Sequence, residues 1–181
     1  CEDIDDICRH CASHGVHVIE DCAQAHGAAF ADGSKVGTRG AISAWSFCQD
    51  KIMTTGGEGG MITTNRTDLY ERAWSLKDHG KDRHMTQNTA PTAGFRWVHA
   101  PIGTNYRMTP MQAAIGLCAL ERLDGWVDHR NAISAVYTRR IRDIPQLTSV
   151  AASTTGLTRH AYYKYYAFVK DPKERDGLVL G

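Results

Sequence analysis

Residues 46–64, "SFCQDKIMTTGGEGGMITT", constrain this chain more than any other stretch. Four of the five residues 56–60 are glycine, and the segment lies between two short apolar runs, "AISAWSF" and "MITT". The pattern predicts a strand, an irregular loop and a second strand. A single lysine, Lys51, sits where the first strand gives way to the loop. Two readings stand for it: a solvated surface amine, or a nucleophile beside a loop whose missing side chains let backbone pack against a bound group. A mobile turn into the next strand is the plainer account of the glycines. The neighbouring segments separate these readings.

Upstream, Ile4, Ile7, Cys8 and Cys11 recur at helical spacing, and Gly15 suits the left-handed position that ends a helix. The β-branched run "VHVIE" follows, then the polar cluster "DCAQAHGA". A helix feeding a strand that ends in polar residues is half of an α/β crossover unit. Ligands of open α/β sheets gather at the carboxyl ends of strands, which makes Asp21 and Gln24 candidate ligand contacts. The strand "AISAWSF" brings Ser46 to a similar place.

Downstream, "TDLYERAWSLKDHG" reads as an amphipathic helix, capped by Asn65 or Thr67 and stopped by Gly80. Residues 81–104 show neither period, and a loop that long usually carries function or meets a partner. Thr109 and Gln112 form a capping box with Pro110 in the first turn, opening a helix expected to end near Gly125. A long helix, "WVDHRNAISAVYTRRIRDI", continues from there and stops before Pro145. The segment "YYKYYAFV" reads as a strand of a different region.

Composition removes several classes of function. A net charge of +1 over 181 residues gives no electrostatic reason to expect nucleic acid or a membrane surface as a partner. No apolar run approaches the ~20 residues needed to span a bilayer, and no signal peptide opens the chain. Cys8 and Cys11 make a CxxC, but inside a helix rather than at its start, and no second ligand pair follows for zinc. The six cysteines are read as reduced thiols, no metal is expected, and the location is read as cytoplasmic. The absence of an initiator methionine suggests a piece of a longer protein.

Asp21, Gln24, Ser46 and Lys51 together meet the needs of one cofactor. Pyridoxal phosphate chemistry requires an amine to hold the aldehyde, a carboxylate to keep the pyridine nitrogen protonated, and partners for the phosphate and the phenolic oxygen. Taken singly, an Asp after a strand is usually a turn former and a loop Lys is usually solvated. Order and spacing carry the reading.

The segments "VIEDCAQAHGA", "SFCQDKIMTTGGEGGMITTN", "KDHG" and "GTNYRMTPMQAAIGLCALERLD" resemble the DegT/DnrJ/StrS family of sugar aminotransferases, from residue 1 to about residue 170. The resemblance implies an α/β, fold-type I pyridoxal phosphate enzyme. Residues 1–125 would belong to the cofactor-binding large domain, and residues 126–181 to a connecting helix and the start of a small C-terminal domain. It implies that Asp21 pairs with the pyridine nitrogen, Gln24 meets the phenolic oxygen, Ser46 donates to the phosphate and Lys51 bonds covalently to the cofactor. Asn105, in "NYRM", would reach the phosphate of a neighbouring subunit, so that a homodimer shares its active sites. Arg107 would either steer an anionic substrate group or hold its own loop, and Glu58 would help fix the glycine loop.

Lysine rather than histidine at position 51 resembles the transaminating members rather than the dehydratases. The implied reaction moves an amino group from an amino acid, L-glutamate in most of the family, to a nucleotide-linked keto sugar. "GFRW" ahead of "GTNYRM" resembles members that build perosamine and related lipopolysaccharide O-antigen sugars. Two departures stand out. Cys48 occupies a position that is commonly histidine, and the family's phosphate-binding and ring-stacking segment would precede Cys1, so this polypeptide alone is expected to bind cofactor poorly. The remaining alternatives are a non-catalytic regulator or scaffold on the same fold, a same-fold dehydratase, and a nucleotide-binding domain. The last is disfavoured by the lack of GxGxxG and GxxxxGK[ST].

Overall fold

The computed structural model describes residues 3–88, 99, 101–149 and 157–180. Helix α1 (Ile4–Ser13) ends two residues before Gly15, whose φ of 69° needs no side chain. Strand β1 (Ile19–Asp21) is followed by the two-residue β2 (Ala29–Phe30) and by β3 (Ile42–Ser46). β4 (Gly60–Thr63) returns after the glycine loop. β1 lies parallel to β3, with Asp21 opposite Ala44, and β3 pairs antiparallel with β4, with Ser46 opposite Gly60. Because β1 and β3 run the same way, Asp21 and Ser46 both come to the carboxyl edge of one sheet.

The connection between β1 and β3 folds back on a buried carboxylate. Glu20 accepts from the backbone N–H groups of Gly37, Arg39 and Gly40 at 3.0, 2.7 and 2.6 Å. Three donors on one ionised group satisfy its burial, and each such bond contributes on the order of 1.5–3 kcal/mol.

Helix α2 (Thr67–Lys77) has Arg66 at its N-cap with no side-chain cap bond, so neither Asn65 nor Thr67 serves as expected; the hydroxyl of Thr64 accepts from Arg66 N–H instead. Gly80, at φ 74°, donates to the Ser75 carbonyl and closes the helix. Within the stretch expected to be irregular, Arg83–Asn88 forms the short helix α3, while "GFRW" lies outside the described residues.

The capping box at Thr109 and Gln112 is present, and it opens α4 (Pro110–Arg142), 33 residues without a break. The helix end expected near Gly125 is therefore corrected: Gly125 lies inside α4. One interior glycine costs roughly 1 kcal/mol, less than the 1.5–3 kcal/mol gained by fully burying the nearby Val127. Val127 is completely buried, and with Ala28, Ile52 and Ala161 it forms one apolar cluster. Ala119 packs with Phe47 and Met53 in a second, and Leu123 touches both. The same helix face thus underlies the turn after β1 and the Lys51 loop.

The chain ends in β5 (Leu147–Ser149), β6 (Leu157–Arg159), β7 (Ala167–Val169), a 3-10 turn (Pro172–Glu174) and α5 (Arg175–Leu180). β6 pairs with β2 and β7 with β5, both antiparallel. Only Ala167–Val169 of the expected strand "YYKYYAFV" is a strand; residues 162–166 form a loop. The fold is mixed α/β, and no helix among the described residues is long and apolar enough to cross a membrane.

Candidate active site

Asp21 ends β1, and its Oδ1 accepts from Ala23 N–H at 3.0 Å, turning the chain toward Gln24. Asp21 and Gln24 line one wall of a cleft of about 300 Å³. The opposite wall is the loop from His160 to Tyr166. That volume lies at the small end of the range for ligand pockets. A carboxylate and a carboxamide face aromatic side chains there, a donor set that suits a flat, cationic heterocycle.

Ser46 ends β3, with its Oγ 3.4 Å from Cys48 N–H. The chain then coils into the Lys51 loop. Phe47 carbonyl accepts from the Thr54 hydroxyl at 3.1 Å and from Thr55 N–H at 3.3 Å, while Phe47 N–H donates to Gly59 carbonyl at 2.7 Å. These bonds close residues 47–59 into one unit. Gly59 is required within it, because a Cβ there would lie 2.2 Å from Thr55 Oγ1. Glu58 fastens the unit to α4 through its carbonyl, which accepts from Gln112 Nε2 at 2.7 Å, and its carboxylate receives the Cys48 thiol at 3.5 Å.

Lys51 projects from this unit with only 15% of its side chain exposed. Its Nζ lies 4.8 Å from the centre of the Tyr163 ring and 3.9 Å from Asp50 Oδ1. Tyr163 lines the cleft together with Asp21 and Gln24; Lys51 and Ser46 are not part of that lining, and Lys51 meets it through the Tyr163 ring. Lys164, also on the wall, lies 5.3 Å from the same ring.

Asn105 and Arg107 stand apart from this group, along the end of α2. Asn105 bridges to Asp78, and the strands on either side of it are held by His79 N–H to Thr104 carbonyl and Tyr106 N–H to Lys77 carbonyl, 3.0 and 2.9 Å. Asn105 itself is exposed. Arg107 Nη1 donates to Asp78 Oδ1 at 2.6 Å, which favours the loop-holding reading of that arginine. Burial raises the Asp78 carboxyl pKa, but hydrogen bonds from Arg107 and Lys81 outweigh it and hold the group below its usual range.

Sequence reading passed over three groups. Tyr163 and Asp50 are the first two, and only the tyrosine run 162–166 hinted at them. The third is His26 of "AQAHGA", 2% exposed and lying between the Trp45 and Phe47 rings at 5.5 and 5.8 Å. Neither of its ring nitrogens has a hydrogen-bond partner. Burial pushes the His26 pKa down, and the Lys51 charge lowers it further. A neutral histidine buried in the fold regains its ordinary proton affinity, near pKa ~6.5, on unfolding. Protons then favour the unfolded chain, so stability is lost as pH falls below ~6.5. His160, also lowered by burial, adds to the slope. Thermal unfolding of the full-length protein is expected to show a falling midpoint from pH 7 to 5.5, and a shallower fall in His26→Gln. An unaltered slope in the variant would assign the acid sensitivity to other groups.

Residues 1–180 match the DegT/DnrJ/EryC1/StrS aminotransferase family. The GDP-perosamine synthase of Escherichia coli O157:H7 is 35% identical over 176 residues, covering 97% of this chain and 44% of that protein. The dTDP-3-amino-3,4,6-trideoxy-alpha-D-glucose transaminase of Streptomyces venezuelae is 32% identical, covering 82% of this chain and 36% of that protein. Among solved structures, an aminotransferase from Psychrobacter cryohalolentis superposes with a TM-score of 0.85 at 42% identity, over 98% of this chain and 48% of that one. The chain spans less than half the length of the curated relatives it matches.

Proposed function

Because this chain belongs to the DegT/DnrJ/EryC1/StrS aminotransferase family, we propose that it is part of an enzyme that transfers an amino group from an amino acid to a nucleotide-linked keto sugar. L-glutamate is the proposed donor. A GDP-linked keto sugar is the proposed acceptor, in keeping with the perosamine synthases among the relatives. Such a product would serve lipopolysaccharide O-antigen synthesis in the cytoplasm.

One observation carries the reading: Asp21 and Gln24 share a cleft wall opposite Tyr163, the ring on which the Lys51 amine rests. These residues fit the family's cofactor, pyridoxal 5′-phosphate. Asp21 would hold the pyridine nitrogen protonated, Gln24 would donate to the phenolic oxygen, Ser46 would donate to the phosphate, and Lys51 would anchor the aldehyde carbon. When bound, the cofactor supplies an electron sink for the bond broken at the amino acid's α-carbon. Asp21 would keep the pyridine nitrogen protonated by its charge. Lys51 Nζ, when not bonded to the group, would accept and hold the proton removed from that α-carbon. Asn105, exposed at the end of α2, would complete the phosphate site of a second subunit in a homodimer.

The test is covalent. The full-length protein, loaded with pyridoxal phosphate and reduced with borohydride, is expected to carry the label on the peptide containing Lys51. Label on Lys164, the other amine beside the Tyr163 ring, would overturn the assignment of the anchor.

A further inference from the structure

Tyr163 is held in place without help from Lys51. Arg130 Nη1, on α4, donates to the carbonyls of Tyr162 and Tyr163 at 3.1 and 3.4 Å, and Asn131 Nδ2 donates to His160 carbonyl at 2.8 Å. Tyr162 takes a left-handed φ of 45° between these anchors. The Tyr163 ring packs on the cluster of Ala28, Ile52, Val127 and Ala161. Its position is therefore set by the core.

Onto that fixed ring comes the lysine. The Tyr163 hydroxyl donates to Asp50 Oδ2, and Asp50 Oδ1 faces Lys51 Nζ at 3.9 Å. The three groups close a triangle, with the ammonium 4.8 Å from the ring centre, inside the ~6 Å reach of a cation–π contact. The hydrogen bond from Tyr163 holds the Asp50 carboxyl below its ordinary range, and the same bond raises the Tyr163 hydroxyl, so one is an anion and the other a neutral donor. Asp50 is 59% exposed at its side chain, so its ion pair alone is weak and the ring is the main surface. Lys164 lies on the same ring at 5.3 Å and shares its field.

We infer that Tyr163 is a positioning residue for Lys51: with Asp50 it makes a seat that receives the lysine ammonium whenever that amine is not bonded to cofactor. The inference rests on the role proposed above for Lys51. Amino transfer in two half-reactions must release the lysine and take it back. An unattached lysine has four rotatable bonds, and a long charged chain set free in a cleft would spend its time in solvent. The seat keeps the amine against a residue that lines the same cleft as Asp21 and Gln24.

The seat predicts how the amine behaves in the full-length protein freed of cofactor. Acetic anhydride at one fixed pH serves as the probe, with the Lys51 rate read by mass spectrometry against exposed Lys173. Tyr163→Leu, which removes ring and hydroxyl, is expected to raise the relative Lys51 rate about fivefold, whereas Tyr163→Phe, which keeps the ring, stays within about twofold of the parent. The rate at Lys35, an amine paired with Asp124 and away from the ring, is expected to stay within about twofold of the parent in both variants. An unchanged Lys51 rate in Tyr163→Leu overturns the seat. So does an equal rise in Tyr163→Phe, or a rise at Lys35 in step with that at Lys51, which would mean general loosening of the fold. Borohydride mapping judges the other reading separately: an adduct away from Lys51 sinks the cofactor assignment whatever the acetylation rates show.

Discussion

Lys51→Ala in the full-length protein is expected to lower amino transfer to the keto sugar at least 10³-fold, a loss on the order of 4 kcal/mol in the barrier. The size follows from two duties resting on one nitrogen. In the proposed role Lys51 Nζ would both anchor the cofactor and carry the proton, while among the described residues Lys164 is a second amine beside the Tyr163 ring. Lys164 shares that ring, but its own side chain is exposed and it lies outside the closed unit of residues 47–59. Lys164→Ala is therefore expected to retain most of the activity. A small primary amine added to Lys51→Ala is expected to restore part of the rate, because the proton acceptor alone is then replaced. Rate loss with no rescue, alongside a changed unfolding midpoint, would show that the substitution damaged the fold and not the chemistry.

The second large effect is steric. Gly103→Ala is expected to destabilise the protein by about 3 kcal/mol or more. A Cβ at Gly103 would lie 1.9 Å from the backbone nitrogen of Gly80 and 2.3 Å from the carbonyl carbon of His79. Neither obstacle is the movable end of a side chain, so two backbone segments must part. Parting them breaks the pairing that joins Leu76 to Thr104, His79 to Thr104 and Lys77 to Tyr106. His79, at φ 61°, already holds a left-handed conformation and has little room to yield. Asn105 and Arg107 would lose their placement with it. Gly125 offers the contrast, since its site within α4 is open and Ala is expected to stabilise the helix there by ~0.5–1 kcal/mol. Chemical denaturation of both variants checks the pair, and a Gly103→Ala loss below ~1 kcal/mol would contradict the steric argument.

What the sequence disclosed was local. A β-branched run ending in Asp21, an apolar run ending in Ser46, and a glycine-dense loop after Lys51 each write their conformation in neighbouring residues. The capping box before α4 is of the same kind. What it concealed depends on partners far along the chain. Residues 162–166 are rich in aromatics, as a strand would be, yet the loop is held by Arg130 and Asn131, some thirty positions earlier, binding the carbonyls of His160, Tyr162 and Tyr163. Gly125 looks like a helix end until the complete burial of Val127 is known. Nothing near Arg107 in the sequence marks Asp78, 29 positions earlier, as its hydrogen-bond partner. His26 read as one letter in a polar cluster, and only the packing of Trp45 and Phe47 around it exposes its acid sensitivity.

The unbroken α4 has a mechanical meaning. Its Leu123 and Val127 support the lysine-bearing turn, and one coil further on its Arg130 and Asn131 grip the tyrosine loop. A rod cannot shift at one of these stations and stay still at the other. The spacing between amine and aromatic ring is thus set by one continuous element.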